Sequence, residues 1–213
     1  MRRMVAVASL AVVLAIVPSI SGPSTAVAQG STPGAKTVAF RLAMRVLWED
    51  HITWTRLYLV SAIAGLPDTQ PTAQRLLRNQ TDIGNAVKPF YGEAAGAKLT
   101  ALLRDHILIA ADLVGAAKAG DDAKTAAARR RWYANADEIA DFLSSANPRH
   151  WPKAEMRSMM REHLDLTLAE ATARLKSDWA LDISTYDKIH RQILGMADML
   201  SAGIIAQFPA KFR

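Results

Sequence analysis

The chain has 213 residues, half of them hydrophobic, with a formal net charge of +6 and no cysteine. Without cysteine there is no disulfide framework, no thiolate metal ligand and no lipidated N-terminal cysteine. The length predicts one domain able to bury a real core, and the mild positive charge suits loose contact with an anionic cell-envelope surface but is too small to argue for nucleic acid.

The chain opens MRRMVAVASLAVVLAIVPSISGPSTAVAQG. Arg2 and Arg3 form a positive start, Met4 to Val17 an apolar run, and Ala26-Val27-Ala28 a small-x-small cleavage pattern. Together these predict a secretory signal peptide over 1–28. The apolar run is shorter than the ~20 residues of a spanning helix. The arginine pair also permits twin-arginine export, although the rest of that motif is poor. Cleavage would leave 185 residues with a formal charge of +4, since only Arg2 and Arg3 and no acid are removed. The expectation is a secreted, extracytoplasmic protein, in the periplasm or cell envelope, with no transmembrane helix in the mature chain.

Residues 29–36 read as a disordered lead-in rich in small residues, and 37–213 as a single helical-bundle domain. No segment alternates as a strand would. A first helix is predicted over 37–65, stopped by Gly65 and Pro67. A short second helix follows over 71–87, ended by KPFYG. The third covers 93–119, with Gly120 closing it. The fourth begins at Asp121 or Asp122 and ends at SSANP. The fifth opens with Pro152 near its first turn and runs to 177. The sixth follows DWALD and continues to 207. Five long helices and one short one, joined by tight loops, predict an all-α fold, an antiparallel helical bundle.

The histidines sit on the apolar seams of these helices. On the first, Phe40, Met44, Leu47, His51, Trp54 and Tyr58 follow alternating spacings of four and three. His106 holds the same place between Leu102 and Ile109, His163 between Met159 and Leu166, and His190 between Tyr186 and Ile193. Such spacing lies on one helix face. EDHITWT, RDHILIA and REHLDLT share an acid before the histidine and Ile or Leu after it, a faint repeat of a helical hairpin. His51, His106 and His163 each fall near mid-helix, and mid-helix residues of an antiparallel bundle share a layer, so these three can converge. His190 falls at another level, three residues from Asp187, while Asp198 lies beside the seam of the sixth helix.

Two readings follow, because a buried polar group without a partner costs roughly 1–3 kcal/mol. In one, His51, His106 and His163, with carboxylates such as Glu170, Asp187 or Asp198 and with His190, bind a divalent transition metal or a small ligand. In the other, the histidines form a hydrogen-bonded structural layer in an envelope-associated interaction module, with His51 meeting Thr55, Thr167 or an acid. A metal-dependent enzyme using His51 as base is a third possibility. A di-iron carboxylate centre is excluded, since the chain has no Glu-x-x-His and a single Asp-x-x-His. No phosphate loop, nucleophile elbow or His-Glu-x-x-His motif is present.

Weaker signals have plainer explanations. Met156, Met159, Met160, Met196 and Met199 could hold copper, but methionine also fills irregular cores. Tyr133, Asn135 and Asp137 flank an apolar stripe and could add polar groups to the core. The Asn79 sequon lies in a predicted helix, and His150 and Trp151 lie on a loop at a helix entry.

The segments LWEDHITWTR, RLLRNQTDIGNAVKPFYG, LLRDHILIAADLVGAAKAGD, RRWYANADEIADFL and MADMLSAGIIAQFP together resemble a family of uncharacterised bacterial all-helical proteins. The resemblance covers nearly everything after residue 37. Some members carry the labels glycosyltransferase or acetylglutamate kinase, which imply a nucleotide-binding α/β architecture from which this sequence departs. The resemblance implies an all-helical fold and supplies no catalytic residue.

Overall fold

The computed structural model describes residues 34–213. The signal-peptide reading and the start of the lead-in lie outside them. The described chain is all-helical: α1 (Ala35–Ala64), α2 (Thr69–Tyr91), α3 (Glu93–Lys118), α4 (Asp122–Ala146), α5 (Lys153–Leu175) and α6 (Trp179–Gln207), then a single 3-10 turn, Pro209–Phe212. Each helix packs on its neighbours in sequence, α6 packs back on α1, and α1 also touches α3 and α5. No helix among the described residues is long and apolar enough to cross a membrane.

The helix stops are those that side-chain chemistry dictates. Asp121 and Asp178 accept hydrogen bonds from the Lys124 and Leu181 backbone N–H groups at the starts of α4 and α6. The chain leaves α1, α3 and α5 through Gly65, Gly120 and Ser177, each with φ between 59° and 70°. Gly65 and Gly120 enter this left-handed region without a Cβ penalty, whereas Ser177 carries one. The second helix is longer than its sequence suggests. It continues through Pro89 to Tyr91 and, at 23 residues, equals α5. Proline removes one donor only, and at the last turn the helix has few further bonds to lose. Gly92 alone then links α2 to α3.

Three consecutive helix pairs share one pattern: α1–α2, α3–α4 and α5–α6. Counted from His51, His106 and His163, the left-handed exits Gly65, Gly120 and Ser177 each stand fourteen residues on. Met44, Leu99 and Met156 stand seven before, Ile52, Ile107 and Leu164 one after, and Leu59, Val114 and Ala171 eight after. All nine are buried. Leu59, Val114 and Ala171 also form their own small apolar cluster. The faint repeat in the sequence is therefore a structural one, and it sets three histidines at equivalent places.

The opposite end is closed by aromatic rings. Phe90 stacks on Phe212 at 5.6 Å between ring centroids, and Phe40, Phe208 and Tyr91 pack around them. Trp151 is buried against Tyr91 and sits over Gly203, so this loop residue belongs to the core.

The α2–α3 contact is tight enough to need two glycines. A Cβ on Gly84 would lie 2.7 Å from the Gly96 carbonyl oxygen, and one on Gly96 the same distance from that of Gly84. Gly84→Ala is expected to lower stability by about 1–3 kcal/mol through overpacking, despite the ~1 kcal/mol that alanine contributes in a helix. Urea denaturation reads this directly, and a variant as stable as the parent would contradict the close approach.

Candidate functional site

His51, His106 and His163 come from α1, α3 and α5 and are 3–4 % exposed. The rings of His51 and His163 are 5.7 Å apart between centroids, and all three residues line one cavity of about 120 Å³. Its remaining wall is mostly apolar and includes Leu59, Leu76, Leu113, Val114, Trp132 and Ala171. Beyond the histidines themselves, its lining from α1, α3 and α5 lies on their C-terminal side, toward the helix ends at Gly65, Gly120 and Ser177.

One side of each imidazole is occupied in the same way. His51 Nδ1 lies 3.3 Å from Gln80 Nε2, His106 Nδ1 lies 2.9 Å from Asn135 Oδ1, and His163 Nδ1 lies 3.2 Å from Gln192 Oε1. Each amide stands 29 residues after its histidine, on the next helix in sequence. Asn135 and Gln192 also donate to the carbonyls of Leu102 and Met159, four residues before their histidines. Between α1 and α2 the work is divided: Asn79 donates to the Leu47 carbonyl and Gln80 meets His51. Every ring thus meets an amide that is itself held: Asn135 and Gln192 to the histidine's helix, Gln80 to Leu76 and Asn79 of its own.

The other ring nitrogen is left free. Among the described residues no Nε2 of these three histidines has a hydrogen-bond partner, nor is any of them among the polar atoms sealed away without one. Burial pushes His106 down to about 3 and His163 down to about 4, and it holds His51 well below the ordinary imidazole range. A charge on one ring would also repel its neighbours, which lowers His51 and His106 further. The site is therefore a set of three neutral imidazoles at neutral pH.

The acids expected beside them are elsewhere. Glu170 is buried, but its carboxylate pairs with Arg56. Asp182, also buried, accepts from Arg56 at 2.8 and 3.2 Å and from Arg174 at 2.8 Å. Arg56 lies over the Tyr186 ring at 4.7 Å. Burial pushes Glu170 up to about 7, against the pull of Arg56. Asp198 pairs with Arg45, and His190 Nε2 meets Glu49 at 2.9 Å, both at the partly exposed α1–α6 seam. Asp187 is exposed. A face assignment alone could not distinguish a cavity from a neighbouring arginine. Among the described residues, no three His or acidic side chains stand where one metal ion could be held.

Several smaller expectations also resolve. Thr55 and Thr167 donate to the His51 and His163 backbone carbonyls, not to a ring. Met156, Met160 and Met196 fill the apolar core. Asn79 is fully buried, with its amide spent on Leu47. The sequence reading missed Gln80 and Gln192, although a constant offset of 29 from each histidine was there to be seen.

Comparison with known proteins finds no matching family model, no matching curated protein and no matching solved structure.

Two outcomes follow from this site. The unfolded chain takes up protons on these histidines near pH 6.5, whereas the folded chain does not, so their contribution to stability is complete above that pH. It is lost as pH falls from 6.5 toward 3–4. Glu170, raised instead, contributes with the opposite sign between 4.5 and about 7. Thermal unfolding of the parent should weaken between pH 6.5 and 4.5, and a His106→Asn/His163→Asn variant should show a shallower slope. Identical slopes would contradict the assignment. Asp182→Ala would strand Arg174 and leave Arg56 with Glu170 alone, and it is expected to cost about 3–5 kcal/mol by denaturant titration, against little change for a surface pair such as Arg131 and Asp112.

Proposed function

We propose that this protein is an exported binding protein that holds a small ligand in its interior cavity, on the Nε2 atoms of His51, His106 and His163. The observation that carries the reading is that three hairpins each present one unbonded imidazole nitrogen to the same cavity. A purely structural polar layer has no use for either feature. Leaving about 120 Å³ open costs roughly 3 kcal/mol relative to a filled core, and each polar atom without a partner adds to that. Both costs are recovered when a ligand fills the space and bonds the nitrogens.

The hairpins are proposed to run antiparallel. The cross-pairs Phe40 with Phe90, Leu47 with Asn79 and Asp50 with Arg75 support this for α1 and α2. Export is proposed from the reading of residues 1–28, with contact to the cell envelope through the positive charge of the chain.

A divalent metal held by His106 and His163 alone is the second reading. Asn135 and Gln192 each accept from Nδ1 and so aim a bare Nε2 lone pair at the cavity, the arrangement that prepares a metal-binding histidine. An enzyme is less well supported, since the three imidazoles face amides and no carboxylate raises their basicity.

Protein purified without a histidine tag should be stabilised by a member of a panel of small organic ligands, or of zinc, copper, nickel and iron. A ligand at 100 times its Kd contributes about 2.7 kcal/mol. The His51→Ala/His106→Ala/His163→Ala variant should lose that response. No stabilisation by any member, and no metal in the purified protein, would overturn the binding reading in favour of a structural layer.

A further inference from the structure

The hydrogen-bond partners of the three rings also fix where their protons are. Gln80 Nε2 lies 2.8 Å from the Leu76 carbonyl, 3.1 Å from Asn79 Oδ1 and 3.3 Å from His51 Nδ1. Turning this amide over would set Oε1 against two other oxygens. Asn79 cannot turn to relieve this, because its Nδ2 donates to the Leu47 carbonyl at 2.9 Å. One N–H of this amide goes to Leu76, and the other is shared between Asn79 Oδ1 and His51 Nδ1; a ring N–H would oppose that NH2, so Nδ1 accepts and the ring proton sits on Nε2. The other two rings are opposite. Asn135 and Gln192 spend their NH2 groups on the Leu102 and Met159 carbonyls at 3.2 and 3.1 Å, so their oxygens face Nδ1. His106 and His163 carry the proton on Nδ1 and leave Nε2 as a lone pair.

The cavity therefore offers one donor, from His51, and two acceptors, from His106 and His163. A metal ion needs three lone pairs and meets a proton at His51. An ammonium group, with three donors, meets the same proton. A carboxylate has no donor for His106 or His163, and a single hydroxyl has only one. A primary carboxamide has two N–H donors and one carbonyl acceptor in a single plane, without charge. The rest of the cavity is apolar. Leu59, Val114 and Ala171 stand eight residues beyond the histidines, about 12 Å along the helices. At about 120 Å³ the space falls slightly below the ~150 Å³ of a cavity that takes benzene.

We propose that the cavity binds a neutral ligand headed by a primary carboxamide on a compact apolar body. The carbonyl accepts from His51 Nε2, and the NH2 group donates to His106 Nε2 and His163 Nε2. This rests on the ligand-binding reading above and names its ligand class.

The test uses isobutyramide, isobutyric acid, N,N-dimethylisobutyramide, zinc and xenon on the full chain, read by calorimetry and by histidine side-chain NMR. Isobutyramide should bind at least about tenfold more tightly than the acid or the dimethyl amide, a difference of one bond's worth of free energy. Gln80→Glu offers His51 Nδ1 an acceptor and so reverses that ring. It should weaken isobutyramide at least about tenfold and gain affinity for zinc. If Gln80→Glu does not fold, the parent still decides: nitrogen-15 shifts must show the proton on Nε2 of His51 and on Nδ1 of His106 and His163. Any other distribution overturns the proposal. So does equal binding of the dimethyl amide, or stoichiometric zinc on the parent; both leave the cavity reading standing. Failure of every probe, xenon included, to enter would overturn both.

Discussion

The structure depends on the hydrogen bond between each core imidazole and an amide on the next helix. An imidazole buried in an apolar layer has two nitrogens to satisfy. Gln80, Asn135 and Gln192 satisfy one of them and, through the Leu76, Leu102 and Met159 carbonyls, are themselves held to their own or the histidine's helix. That single arrangement sets ring orientation, fixes the site of the proton and registers each histidine's helix against the next one. It also settles the charge state, because a ring buried to this degree and surrounded by two others stays neutral.

The remainder of the fold divides the labour between two ends. Around Phe40, Phe90, Phe208 and Phe212 the bundle is filled with aromatic rings, and Trp151 packs directly on Gly203. Beyond the histidines the lining mixes Ala110, Ala117 and Ala171 with Leu113, Val114 and Leu175, and the space stays open. The Arg56, Glu170, Asp182 and Arg174 cluster joins α1, α5 and α6 beside that open end. Two arginines and two acids compensate each other, so the cluster can be buried without an excess charge. It holds the helices where apolar packing is thinnest.

Much of this was legible in the sequence, and the limit has a physical cause. Alternating spacings of four and three place His51, His106 and His163 on buried seams, and their mid-helix heights place them in one layer; both follow from helix geometry. The same spacings put Glu170 and Asp198 on or near seams, but periodicity does not say which side chain lies opposite. Arg56 and Arg45 claim those acids. The end of α2 was hidden because proline in a last turn costs little, so KPFYG carries the helix on to Tyr91. Asn135 was legible as a polar flank of a buried stripe, whereas Gln80 and Gln192 were hidden differently. Glutamines within a helix read as surface residues until their constant distance from the histidines is noticed.

The most direct measurement of the central claim is a pH titration of the imidazoles in protein labelled with nitrogen-15 at histidine. The account predicts that His51, His106 and His163 remain neutral from pH 8 down to at least about pH 5, each in a single tautomer. Any of the three becoming protonated near pH 6.5 in the folded protein, or averaging between tautomers, would contradict an enclosed site fixed by amides.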